Sequence, residues 1–218
     1  MLERQWHVGQ HVALLSRSGS GKTTLAREIL DIRDRVIVFG TKPDDAELYP
    51  AFQRKGYAIV DRWGDRDAAP DSRSPRRVIF RPPGGFRDRK SKAQAFGEAL
   101  DVIDSRGSWT IYIDEMLVLT RDLGMGDDIN SFYTQARSNH VTMVAGTQRP
   151  RGAPLNMFEQ SIWSFVWRIA DLADRERASE FLGPNRWMAF EATRALPPYE
   201  FVLVNTSTDY ATRSKVGT

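Results

Sequence analysis

Cysteine is missing altogether from the 218 residues, and histidine occurs only three times. The first absence rules out disulfides, a thiolate metal site and a cysteine nucleophile, and it leaves the redox compartment unread. The three histidines, His7, His11 and His140, share no metal-ligand spacing, so each is read as structural or exposed. Lysine is scarce beside arginine, which is read first as a bias of base composition. No apolar run approaches the roughly 20 residues that a membrane-spanning helix needs. The start of the chain, Met1–Gln5, lacks the features of a signal peptide. A cytoplasmic location is therefore the default expectation. What is present is the balance of an ordinary globular protein, 41% hydrophobic and 27% charged, long enough for one domain with a sizeable core. The formal net charge of +3 and pI near 9.3 are compatible with a polyanionic partner without pointing to one.

Short β-branched runs alternate with helical patterns. Strands are expected at 12–15, 35–40, 57–60, 78–80, 110–113, 141–145, 161–169 and 201–204, the last pairing with 210–216. Helices are expected at 23–31, 93–103, 127–137 and 172–182. The run 161–169 is apolar on both faces, as a central strand should be. Its Trp163, Phe165 and Trp167 alternate and are read as core packing. Alternation of this kind predicts an α/β fold, a mainly parallel central sheet with helices on both faces. One domain spanning 1–218 is expected, with a loop-rich insertion at about 61–92. That stretch holds Arg73, Arg76, Arg77, Arg81, Arg87, Arg89, Lys90 and Lys92. A solvated surface is the first reading of those charges, and a nucleic-acid or subunit contact the alternative.

Ser16-Arg17-Ser18-Gly19-Ser20-Gly21-Lys22-Thr23 matches GxxxxGK[ST] except at its first position, where Ser16 replaces glycine. A hydrophobic strand precedes it and a helix follows, which is the context phosphate binding needs. Ser18, Gly19, Ser20 and Gly21 curl the backbone so that successive N–H groups face an anion, and the helix adds its free N–H groups and positive end. Lys22 is placed to reach the β- and γ-phosphates of ATP, Thr23 to ligate Mg²⁺, and Thr24 to approach the α-phosphate.

Trp109-Thr110-Ile111-Tyr112-Ile113-Asp114-Glu115 is an apolar strand ending in two acids. Beside a phosphate loop, Asp114 is the candidate for the Mg²⁺ shell and Glu115 for the group that polarises an attacking water. An acid next to the metal-binding aspartate argues against a small-molecule kinase. The strand of Val141–Ala145 ends in Thr147-Gln148. In a RecA-like sheet it lies beside the strand of Asp114, and Gln148 then faces the γ-phosphate. Arg149 and Arg151 follow it and are candidates for contact with phosphate, DNA or a neighbouring subunit.

Together Gly19-Ser20-Gly21-Lys22-Thr23, the strand ending in Asp114-Glu115, and Gly146-Thr147-Gln148-Arg149-Pro150 resemble the FtsK/HerA superfamily of DNA-pumping ATPases. The resemblance covers about 12–204 and departs from that family at Ser16 and at Gly40-Thr41-Lys42-Pro43. It implies a RecA-like (ASCE) P-loop NTPase fold, ATP and Mg²⁺ as cofactors, and double-stranded DNA as partner. It also implies a homo-oligomeric ring, a hexamer, in which Arg137 reaches the neighbouring subunit's nucleotide; Arg137 lies eleven residues before Gln148. The chain is most similar to the minimal genome-packaging ATPases of internal-membrane viruses with double-jelly-roll-type capsids, because it shows no membrane segment, winged-helix module or N-terminal barrel. Capsid or membrane-vertex proteins are then expected partners, and the host cytoplasm or the virion the expected location. Two other readings stand beside this one: a DNA-processing or conjugation motor, and an ATP-gated assembly factor that does not move DNA.

Overall fold

The computed structural model describes residues 6–69, 72–85 and 87–217. The segment Met1–Gln5, on which the signal-peptide expectation rests, lies outside them. Nine strands form one sheet: β1 His11–Leu15, β2 Val36–Phe39, β3 Ala58–Val60, β4 Arg77–Phe80, β5 Thr110–Ile113, β6 Thr142–Thr147, β7 Ser161–Trp167, β8 Glu200–Asn205 and β9 Ala211–Lys215. Their order is β3-β4-β2-β5-β6-β1-β7-β8-β9. Pairing is parallel from β3 through β7 and antiparallel for β7–β8 and β8–β9.

Alternate residues of each strand feed separate cores on the two faces, because strand side chains point to opposite sides with period two. Ala13, Leu15, Ile37, Phe39, Ile111, Ile113 and Met143 belong to one core. Val12, Leu14, Val36, Val38, Tyr112, Val144 and Phe165 belong to the other. The first face is covered by α4 (Arg89–Arg106) and α5 (Gly126–Gln135), through Phe96, Leu100 and Ile103 and through Ile129 and Phe132. The second is covered by α1 (Lys22–Leu30) and α2 (Leu48–Gln53). On α1 the stripe is Leu25, Ala26, Ile29 and Leu30, and each large member contributes about 1.5–3 kcal/mol by leaving water. The expected α/β sheet with helices on both faces is borne out.

The structure adds helices the sequence pattern does not show: α2, α3 (Asp65–Ala68), α6 (Leu155–Glu159) and α8 (Arg186–Ala192), beside the expected α7 (Leu172–Glu180). A π-helical turn follows Glu115 at Val118–Asp122. The arginine-rich stretch 61–92 is not simply an inserted loop. It carries α3 and all of β4, whose Val78, Ile79 and Phe80 are buried between β3 and β2. Arg77 is tied to Asp31 and to the carbonyl oxygens of Asp31 and Arg33. Arg81 pairs with Asp61, and Lys92 is buried. Arg73, Arg76, Arg87, Arg89 and Lys90 stay exposed.

His11 sits fully buried in β1, its Nδ1 accepting a hydrogen bond from Met143 N at 3.0 Å, edge-on to the ring of Tyr133. Burial holds its pKa down to about 4; the Tyr133 backbone opposes this and the charge of Arg137 adds to it. The folded state thus binds fewer protons than the unfolded one between pH 4 and about 6.5. Stability is complete above about 6.5 and falls as pH drops toward 4, by up to roughly 3 kcal/mol from this group. Urea midpoints measured from pH 7 to 4 should show this slope, and His11→Gln, which cannot titrate, should flatten it.

Candidate active site

Seven parallel strands point their C-terminal ends at one edge of the sheet, the edge where open α/β sheets bind ligands. β1 lies between β6 and β7 and runs out at Leu15 into the phosphate loop. The loop is anchored at its start by Ser16 N, which donates to Thr147 O of β6 at 3.1 Å. Ser16 is buried and lacks the positive φ found at Gly19 (74°) and Gly21 (90°). Serine is therefore no obstacle at the first motif position. Glycine is needed at 19 and 21, where the backbone enters the left-handed region before α1 begins. The amino end of α1 then presents its unpaired N–H groups to the loop's hollow.

Lys22 is buried and reaches across to β5. Its Nζ donates to the carbonyl of Asp114 and stands 3.6 Å from Asp114 Oδ1. The lysine crosses over Gly146 of β6. A Cβ there would lie 2.8 Å from Lys22 Nζ and would collide with the Asp114 carbonyl. Thr23 Oγ1 donates to Asp114 Oδ1 at 3.2 Å, and the Tyr112 hydroxyl donates to the same oxygen at 2.6 Å. Burial, then the neighbouring Asp114 charge, pushes the Tyr112 phenol well above its ordinary pKa, so it remains a donor. A hydroxyl and a carboxylate oxygen side by side suit a small hard cation that keeps several waters and takes phosphate oxygens besides. Thr23 and Asp114 thus fit a Mg²⁺ ion, which would supply charge neutralisation on bound phosphates.

Glu115 points to the adjacent strand. Its carboxylate accepts from Thr147 Oγ1 at 3.0 Å, from Gln148 N at 2.9 Å and from Leu117 N at 3.3 Å. The acid at the end of β5 and the polar pair at the end of β6 are one hydrogen-bonded unit. A cleft of about 300 Å³ is lined by 17–24 together with Lys42, Asp45, Asp114, Gln148 and Tyr199. Lys42 pairs with Asp45 at 3.1 Å. That hydrogen bond, with help from the charge of Asp114, raises the Lys42 pKa. Burial alone would raise the Asp45 pKa, but hydrogen bonds from Leu48 N and Lys42 bring it below its usual value.

The sequence-predicted residues Ser18, Gly19, Ser20, Gly21, Lys22, Thr23, Thr24, Asp114 and Gln148 all line this cleft, with Glu115 beside it. Arg137 is not brought to it. Arg137 lies in the turn after α5, against Gly9, at the N-terminal ends of β1 and β6. Five residues of strand, about 16 Å at roughly 3.3 Å each, separate that end from the phosphate loop. Arg149 and Arg151 are exposed beyond Gln148. Tyr112, Lys42, Asp45 and Tyr199 are missed by motif reasoning. Tyr112 alone carried a signal, since it stands two residues before Asp114 on one strand and so shares its face.

This sheet order and this cleft define an α/β fold of the RecA-like P-loop type. No family model matches the chain, and no curated protein matches its sequence. Solved structures do match in fold. The DNA-packaging ATPase B204 from Sulfolobus turreted icosahedral virus superposes with a TM-score of 0.67 at 14% identity, covering 96% of this chain and 98% of that one. The genome packaging NTPase B204 from Sulfolobus turreted icosahedral virus 2, in complex with AMPPCP, gives 0.62 at 16% identity, covering 94% and 97%. The pCW3 conjugation coupling protein TcpA, with ATPγS, gives 0.55 at 13% identity, covering 98% of this chain and 60% of that one. Among the described residues no helix is long and apolar enough to cross a membrane.

Proposed function

We propose that this chain hydrolyses ATP to drive double-stranded DNA, as a genome-packaging motor. The observation that carries this reading is the single hydrogen-bonded unit that joins Glu115 to Thr147 and Gln148 beside the Lys22–Thr23–Asp114 cluster. In that arrangement Lys22 leaves Asp114 for the β- and γ-phosphates. Thr23 and Asp114 would hold Mg²⁺. Glu115 takes the proton of the attacking water. Gln148 lines the phosphate cleft and binds Glu115 through its backbone N–H, so loss of the γ-phosphate is felt on both strands. DNA as the cargo is supported by the exposed arginines and by the DNA-packaging role of B204. A conjugation motor is the second reading, favoured by the TcpA likeness.

Two measurements test the proposal. Binding to duplex DNA is expected to be sequence-independent, with affinity falling linearly in log–log plots against salt by about 0.9 per phosphate contacted. ATP hydrolysis is expected to rise when duplex DNA is added. Absence of DNA binding at low salt with nucleotide present, together with a DNA-independent ATPase rate, would leave the assembly-factor reading in its place.

A further inference from the structure

Tyr199 stands at the start of β8 with φ at 66°, in the left-handed region that a bulky side chain seldom enters. Nothing in the phosphate chemistry above uses it. Its position is over-determined by its neighbours. Val216 N donates to Tyr199 O at 3.0 Å, Glu200 N donates to Pro197 O at 3.2 Å, and Glu200 is paired with Arg213. Pro197 and Pro198 restrict the backbone just before it. The result is a half-exposed residue (51%) set against the phosphate loop. Its Cδ1 lies 3.3 Å from where a Cβ on Gly21 would sit. Strain kept in place by its surroundings at the rim of a cleft points to a use for the side chain.

The sheet order says which part of a nucleotide would meet it. The acids and Gln148 stand at the ends of β5 and β6, on one side of β1, and define where the terminal phosphate goes. Tyr199 stands on the other side of β1, beyond β7. A nucleotide with its triphosphate running along the loop toward Asp114 and Glu115 leaves its base on the β8 side. Among the described residues, Tyr199 is the one aromatic side chain lining the cleft. We propose that Tyr199 is the platform on which the nucleoside base stacks, an inference that rests on the phosphate-site reading above. Stacking uses the π-face that every base has. The platform therefore does not separate ATP from GTP.

The test compares competition by ATP, GTP and inorganic triphosphate in wild type, Tyr199→Phe and Tyr199→Asn. Asparagine tolerates the left-handed backbone and removes the ring, so fold loss is not confounded with ring loss. Tyr199→Asn is expected to bind ATP and GTP about tenfold more weakly while holding inorganic triphosphate as wild type does. Tyr199→Phe is expected to restore both nucleotides. Unchanged ATP affinity in Tyr199→Asn would overturn the assignment. So would an equal loss for inorganic triphosphate, which would make the ring a support for Gly21. Wild-type protein that binds neither nucleotide nor triphosphate would overturn the phosphate-site reading together with this one, a result distinct from both.

Discussion

Glu115→Gln is expected to bind Mg-ATP as wild type does and to turn it over roughly 10²–10⁴ times more slowly, the usual reach of a positioned general base. The amide keeps the size of the carboxylate; its one oxygen can accept from Gln148 N while its NH₂ donates to Thr147 Oγ1, so the contacts of β5 with β6 survive. What it loses is the capacity to take a proton. Lys22→Ala should fail earlier, at binding, because the cation facing the β- and γ-phosphates is gone. A filter-binding assay with ATP and a single-turnover assay separate the two. Near wild-type turnover in Glu115→Gln would end its assignment as the base. Tight ATP binding by Lys22→Ala would do the same for the phosphate loop.

The second large effect concerns Arg137. It lies at the far edge of the sheet from its own cleft, so any catalytic part it has would be at another subunit's nucleotide. If it acts there in a ring, Arg137→Ala should bind ATP normally and hydrolyse it about 10³ or more times slower, the scale for losing a guanidinium that steadies charge on the transferring phosphoryl group. Mixing inactive Arg137→Ala with inactive Glu115→Gln should restore part of the activity. In such a mixture an Arg137 from one variant meets the intact Glu115 of the other. Activity of Arg137→Ala at the wild-type level, or full activity in a strictly monomeric sample, would place Arg137 on the surface with no catalytic part.

The parallel core was legible because its strands are buried on both faces and read as unbroken apolar runs; β5, at Thr110–Ile113, was delimited to the residue. The phosphate loop was legible because its glycines and lysine are demanded by chemistry at fixed spacing. The short helices were not. α2 has six residues with a proline among them, and α8 has seven, too few turns for a 3.6-residue period to stand out. β4 was visible as an apolar triplet, but its charged flanks hid that it lies inside the sheet between β3 and β2. Tyr112 could be read from its place two residues before Asp114 on one strand, whereas Tyr199 belongs to no motif and only folding brings it to the cleft.

The place of β1 in the sheet has a consequence for how the protein is made. β1 is made long before either of its partners, β6 and β7; Val12 pairs with Val144 and Trp163. Such long closures slow folding and leave apolar strands without neighbours while synthesis continues. The loop that holds phosphate takes its anchor from Thr147 and its flank from Tyr199 and Val216. A nascent chain therefore has its phosphate loop long before it has the groups that anchor and flank that loop, and the site is complete only once β6 and the segment from Tyr199 to Val216 have been made.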